Sequence, residues 1–285
     1  DGAEVTNVDG VKRFLQEGVQ IGKMDAVNTA NESLVLWQWV ANGTGTTNTE
    51  GTGITSTVSA NTTAGFSALT YVGTGNAGDT VGHGLGAVPS FIIVKNSSDT
   101  GPGWYVYHKS LGVTKYIRLE GTDQAQTSSA VWNNGSPSFS TTTFTVGGGS
   151  AYINDSGKTH VAYCWTDIEG YSKFGSYTGN GDPNGSFIYL GFLPSYVLIK
   201  DTGASSTNWQ IFDNQRDRYN PITQQLLANS DAAEATQSAR CDFLAQGIKF
   251  RVSSGDINNS GNSFIYAAFA ENPFGGSGVA QAKAQ

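Results

Sequence analysis

Charge is what this sequence has least of. Only 14% of its 285 residues are Asp, Glu, Lys or Arg, and the 16 basic residues are scattered through a chain of net charge −7. Phosphate contacts need clustered Lys and Arg, so the balance argues against a nucleic-acid partner. Long apolar runs are also missing. FIIVK and YVLIK, among the longest, are strand length and far short of the roughly 20 residues of a spanning helix, so membrane insertion is not expected. Methionine occurs once and histidine three times, whereas glycine occurs 37 times among many Thr, Ser and Asn residues. Such a composition describes β-strands joined by tight turns rather than a helical enzyme.

What is abundant is internal repetition. SFIIVKNSSDTGPGWYVYH from Ser90 returns as SYVLIKDTGASSTNWQIFD from Ser195, with Lys95/Lys200 and Trp104/Trp209 each 105 residues apart. Upstream, Tyr71 answers Tyr177; downstream, Asn154 and Gly157 answer Asn258 and Gly261. A period this long is a domain rather than a solenoid repeat. A third, partial copy precedes them: FLQEGVQIGKMDAVNTANESLVLWQW from Phe14 aligns with the segment from Phe243, with one residue of slip. The expected organisation is the C-terminal half of a preceding unit at 1–40 and a Gly/Thr/Asn-rich linker or edge-like arm at 41–65. Units follow at 66–170 and 171–274, with a flexible tail at 275–285. On this reading the 285 residues are part of a longer chain.

Within each unit, short β-rich runs such as WYVYH, HVAYCW, YVLIKD and SFIYAAF alternate with turn clusters such as NGDPNGS and NNSGN. The fold expected is all-β: tandem β-sandwich, jelly-roll-like domains of about 105 residues, each able to bury its own core. Residues 223–244 hold the one helix-tolerant stretch and read as mostly loop with a helical turn; their counterpart RLEGTDQAQTSSAVW is weaker in helix formers.

Signatures of chemistry are thin. His83, His108 and His160 have no metal-ligand spacing, and no G-x-S-x-G elbow occurs. GKT at 157–159 lacks the glycine a phosphate loop needs five residues earlier, where Tyr152 stands. DINNSG at 256–261 opens like a calcium loop, but Ala267 occupies the place of the twelfth-position glutamate, and a glycine-containing hairpin turn is the plainer reading. Cys164 and Cys241 sit at different places in their units, so two unpaired, buried thiols are expected. No cofactor and no metal are expected. Trp104 and Trp209 open the same strand in both copies and read as packing residues. Trp132, beside Asn133 in the polar VWNNGSP and without an aromatic twin, reads as the better sugar platform.

The copies diverge most after the shared phrase, HKSLGVTKY against NQRDRYNP. Divergent loops on a rigid sandwich are where recognition is expected, which nominates His108 and Lys109 in one copy and Gln215, Arg216, Asp217 and Tyr219 in the other. Asp213 and Asp217 have the residue types of a glycosidase pair; solvated charges balanced by Arg216 and Arg218 are the plainer reading.

The phrases EGYSKFGSYTGNG, DFLAQGIKFR, FIYAAFAENPF and GHGLGAVPSFIIVKN resemble a repeated domain of tailed-bacteriophage virion proteins, the marine type above all, over most of the chain from Val11 to Phe274. The resemblance implies a non-enzymatic tail fibre or similar surface fibre at the virion surface that mediates host attachment. It implies other virion proteins as partners, a homotrimer by analogy with fibres, and a host surface polysaccharide or protein as receptor. The alternatives are a purely structural role in head decoration or a fibre shaft and, further off, a polysaccharide depolymerase. The resemblance brings no catalytic residue with it.

Overall fold

The computed structural model describes residues 3–15, 18–149, 152–253 and 255–271. The expected tail at 275–285 lies outside them.

The chain opens with a hairpin, β1 (Val11–Leu15) and β2 (Gly18–Ile21), and one helical turn, α1 (Asp25–Asn28). Residues 41–65 hold β3 (Thr46–Asn48) and β4 (Ser56–Asn61), added to the edge of the first unit's sheet through β4. The first unit follows as β5 (Phe66–Val72), β6 (Thr80–Gly82), β7 (Phe91–Asn96), β8 (Trp104–His108), β9 (Lys115–Arg118), β10 (Gln126–Thr127), α2 (Ser129–Trp132), β11 (Thr143–Thr145) and β12 (Thr159–Trp165). The second unit is β13 (Ser172–Thr178), β14 (Phe187–Tyr189), β15 (Pro194–Asp201), β16 (Gln210–Asp213), β17 (Ile222–Leu227), β18 (Ala235–Leu244), β19 (Gly247–Phe250) and β20 (Ser263–Ala270).

Both units lay their strands in one order, with all ladders between these strands antiparallel. In the first, β9-β8-β7-β12-β5 forms the large layer and β11-β6 the small one; in the second, β17-β16-β15-β20-β13 is faced by β18-β19-β14. Alternation along each strand sends one set of side chains into the unit's own core. Ile92, Val94, Tyr105 and Tyr107 lie in the first core, Val197, Ile199 and Phe212 in the second. The opposite faces are apolar too. Phe91, Ile93, Val106 and Trp165 meet Leu198, Ile211, Ala267 and Phe269 in a third core shared by the units. The chain is therefore not a string of separate sandwiches but two sheets locked face to face.

Residues 223–244 correct the loop expectation: they form β17 and β18, because Ile222, Cys241 and Phe243 close the second core. The weaker helix former took the helix instead. Ser128 caps α2, its Oγ accepting from Ala130 N at 3.2 Å, and burial of Val131 and Trp132 holds the turn in place.

An asparagine marks the partial copy. Asn154 Nδ2 donates to Gly147 O at 2.9 Å, Asn258 Nδ2 to Val252 O at 2.6 Å and Asn28 Nδ2 to Gly22 O at 2.7 Å. The hairpins agree in register, Phe14 opposite Val19 as Phe243 is opposite Ile248. The turn beyond each asparagine needs a left-handed residue. Gly157 (φ 73°) and Gly261 (φ 78°) supply it in the complete units and Asn31 (φ 66°), which tolerates that region, in the partial one. Coverage differs: Phe14 is 74% exposed where Phe243 is 6%. Residues 34–40 enter no ladder, yet Trp37 and Trp39 turn inward and reach the shared core, Trp39 edge-on to Trp165, Tyr196 and Phe269 at 5.9, 5.6 and 5.3 Å.

Candidate functional site

Two of the expected binding residues are core residues. Trp132 is fully buried, edge-on to Tyr107 and Phe139 at 5.9 and 6.0 Å, so it cannot stack on a sugar. The polar letters around it misled because α2 folds its last residue inward; Asn133 caps that turn at φ 46° and uses its Nδ2 on Ser136 O. His108 is buried between the units, Nε2 donating to Tyr266 O at 3.1 Å and Nδ1 accepting from Ser110 N at 3.1 Å. Desolvation pushes its pKa down to about 4, so it sits there neutral. Lys109 is partly exposed, with its ammonium 2.5 Å from Asp167 Oδ2, and Asp167 also accepts from Phe174 N at 3.0 Å. Burial raises the Asp167 carboxyl, but Lys109 and the hydrogen bonds outweigh it and hold the pKa below the usual range. Held by Lys109 within the first unit, Asp167 reaches the second through Phe174 N.

The second loop is different. Arg216 Nε lies 2.7 Å from Asp213 Oδ2, Nη1 2.6 Å from Glu234 Oε2, and its guanidinium stands over Trp37. Asp213 and Arg216 are thus a largely buried pair rather than the solvated charges expected. The Asp217 carboxylate accepts from Thr223 N at 2.6 Å and Gln224 N at 2.5 Å, and Gln215 Nε2 donates to Glu271 Oε1 at 3.1 Å. Asn220 exchanges two 2.8 Å bonds with Phe243, Nδ2 to O and Oδ1 from N. Apart from Arg218, the charged and amide side chains of the loop are spent on its shape, and the shape holds out Tyr219, 86% exposed. Of the eight nominated residues, the four at 215–219 form one surface; the first unit's four do not join it.

Calcium-like DINNSG is likewise engaged. Asn258 is buried, its Oδ1 accepting from Asn180 N at 3.0 Å and its Nδ2 donating to Asp182 O at 3.0 Å, so it staples the two halves of the unit. Among the described residues no three His, Cys, Asp or Glu side chains cluster as metal ligands. Cys164 and Cys241 are unpaired and buried, and desolvation raises both thiols.

Sequence reasoning missed the difference between the paired tryptophans. Trp209 is sealed: its indole Nε1 donates to Arg118 O at 2.9 Å, and beside it Lys200 Nζ donates to Thr207 O at 2.6 Å and Thr122 O at 3.3 Å. Trp104 is half-buried and its indole N–H has no partner among the described residues; Lys95 reaches only Pro102 O. Together with Glu4, Ser97, Val161 and Tyr163 they line an open pocket of about 380 Å³. Nothing in the local sequence separates the two tryptophans, because the cover comes from a neighbouring unit.

A tandem all-β sandwich protein, its units joined by a shared apolar core, is the class these observations define. One family model, described as a domain of unknown function (DUF7483), matches residues 2–273, and the chain belongs to that family. No curated protein and no solved structure matches it.

Proposed function

We propose that this chain is a non-enzymatic part of a phage appendage, a tail fibre or similar surface fibre, that attaches the particle to its host. The resemblance in its repeated phrases supports the role, and the observation that carries attachment is the 213–221 loop, a cross-braced platform with Tyr219 held out. A prepaid loop conformation lowers the entropy cost of binding, and an aromatic on a rigid support is the usual anchor of a recognition surface. Its receptor would be a host surface polysaccharide or protein. The test is binding of the purified chain to host cells with and without competing surface polysaccharide. Saturable binding that Tyr219→Ala weakens is the expected result; equal binding by the variant would move recognition elsewhere, and no binding by either would leave the attachment role without support.

A purely structural virion role is the second reading. The shared core favours it, since three apolar layers and the junction at Asp167 make a stiff spacer. Chain found on particles with no affinity for cells would decide for it.

A further inference from the structure

Each unit carries two parts of a clasp, and the join between the units shows them used. The inserted part is the turn after the fifth strand of a unit, residues 119–125 in the first. The receiving part is the tip of the next unit's hairpin between its third and fourth strands, residues 200–209 in the second. Trp209 Nε1 and Lys200 Nζ donate to Arg118 O and Thr122 O, Thr207 N donates to Thr122 O at 3.2 Å, and Ala125 N donates to Thr202 O at 3.1 Å.

The receiving part of the first unit is the Trp104 pocket. Ser97 is the counterpart of Thr202, both lying 105 residues apart in the shared phrase, and Ser97 O accepts from Glu4 N at 2.8 Å, as Thr202 O does from Ala125 N. Glu4 and Ala125 fall within one residue of the same place in the repeat. Leu119 N donates to Trp104 O and Ala228 N to Trp209 O, which aligns the turns and puts Ala125 at Glu234. Counting back from the shared hairpin register puts Glu4 at Ala233, one residue away. One bond of the clasp on the first unit is therefore already made, by the partial copy. The donors awaiting the rest are the Trp104 indole N–H and the Lys95 ammonium, beside Glu4 in the same pocket. Pro102 stands where Thr207 does and has no N–H, so this clasp has one bond fewer.

We infer that the units lock in series, the turn of one closing on the hairpin tip of the next, and that the pocket of Lys95 and Trp104 is the socket for the backbone that leads into Glu4. The occupant is polypeptide, because two donors set to take carbonyls four residues apart is what the filled socket shows, and the chain is already seated at its rim. This stands apart from the attachment role.

Hydroxyl-radical footprinting of Trp104 tests it, with Trp209 as the sealed standard, on the 285-residue chain and on the protein isolated from its natural source. Labelling of Trp104 in the 285-residue chain at every concentration, falling several-fold to the Trp209 level in the natural protein, is the expected result. Equal reactivity of Trp104 in both overturns the inference. So does protection in the 285-residue chain that grows with concentration, since a second copy's turn at 228–234 would then be the occupant. Trp104→Phe, which removes the N–H donor together with part of the ring, should lower the thermal midpoint of the natural protein by more than that of the 285-residue chain.

Discussion

The two complete units share a strand order and close it with different material. In the second unit β18 runs from β17 to β19, so eight strands form one folded sheet; in the first, α2 and the Trp132 side chain fill that gap. One topology thus tolerates a strand or a helical turn at the same station, provided apolar volume reaches the core. The first unit also holds all three histidines, buried, while the second has none. What duplication conserves is the frame, and what diverges is how each copy plugs it.

Acid should separate the copies most. Desolvation puts His83 and His108 at about 4 against the ordinary 6.5. Between those values the unfolded chain binds protons that the folded chain does not. The stability these groups contribute is therefore whole above pH 6.5 and drains as pH falls towards 4, roughly 3 kcal/mol for each. Asp256, in the second unit, is pushed the other way, its carboxyl raised by burial, and opposes acid loss there. Thermal midpoints from pH 7.5 to 5 should fall, and amide exchange should show first-unit strands losing protection first; uniform loss in both units would break the comparison.

Trp132→Ala comes next, at about 3–5 kcal/mol by denaturant titration, the range for emptying a large aromatic site in a core. Tyr219→Ala, exposed in the second unit, should leave stability within about 0.5 kcal/mol. A small loss for Trp132→Ala would mean that the helical plug collapses without cost.

The asparagine staple sharpens the comparison across all three copies. Asn154→Ala and Asn258→Ala each strand several buried backbone groups and should cost about 2–3 kcal/mol, whereas Asn28→Ala removes a single bond and should cost about 1 kcal/mol or less. Equal losses would show that the partial copy is as tightly closed as the others.

Smallest is the pair of tryptophans. In the 285-residue chain Trp209→Phe removes the bond to Arg118 O with part of a buried ring and should cost at least about 1 kcal/mol, while Trp104→Phe, at a half-buried ring with no bond to lose, should cost less. A matching loss at both positions would mean that Trp104 is sealed as well.

Much of this was legible in advance. Short continuous apolar runs such as FIIVK and YVLIK marked buried strands, and the spacing of Lys95/Lys200 and Asn154/Asn258 marked equivalent places in a duplicated frame. Residues 223–244 were not legible, because good helix formers such as Gln, Leu and Ala are drawn into strands once Cys241 and Phe243 have a core to close. The candidate site was half legible. The 215–219 loop stood out by its divergence, but VWNNGSP looked equally polar and hid a core tryptophan, and Asp213 with Arg216 looked solvated and is buried.

Composition, alternation and repetition by themselves determined an all-β protein with two full copies and a partial one, since strand periodicity and turn glycines are local properties. Tertiary structure alone decided that the copies meet face to face, that Trp132 points inward, and that one tryptophan of an equivalent pair is sealed while the other is open. Burial is set by whatever element packs against a side chain. At these positions that element lies in another part of the chain, where no local pattern can announce it.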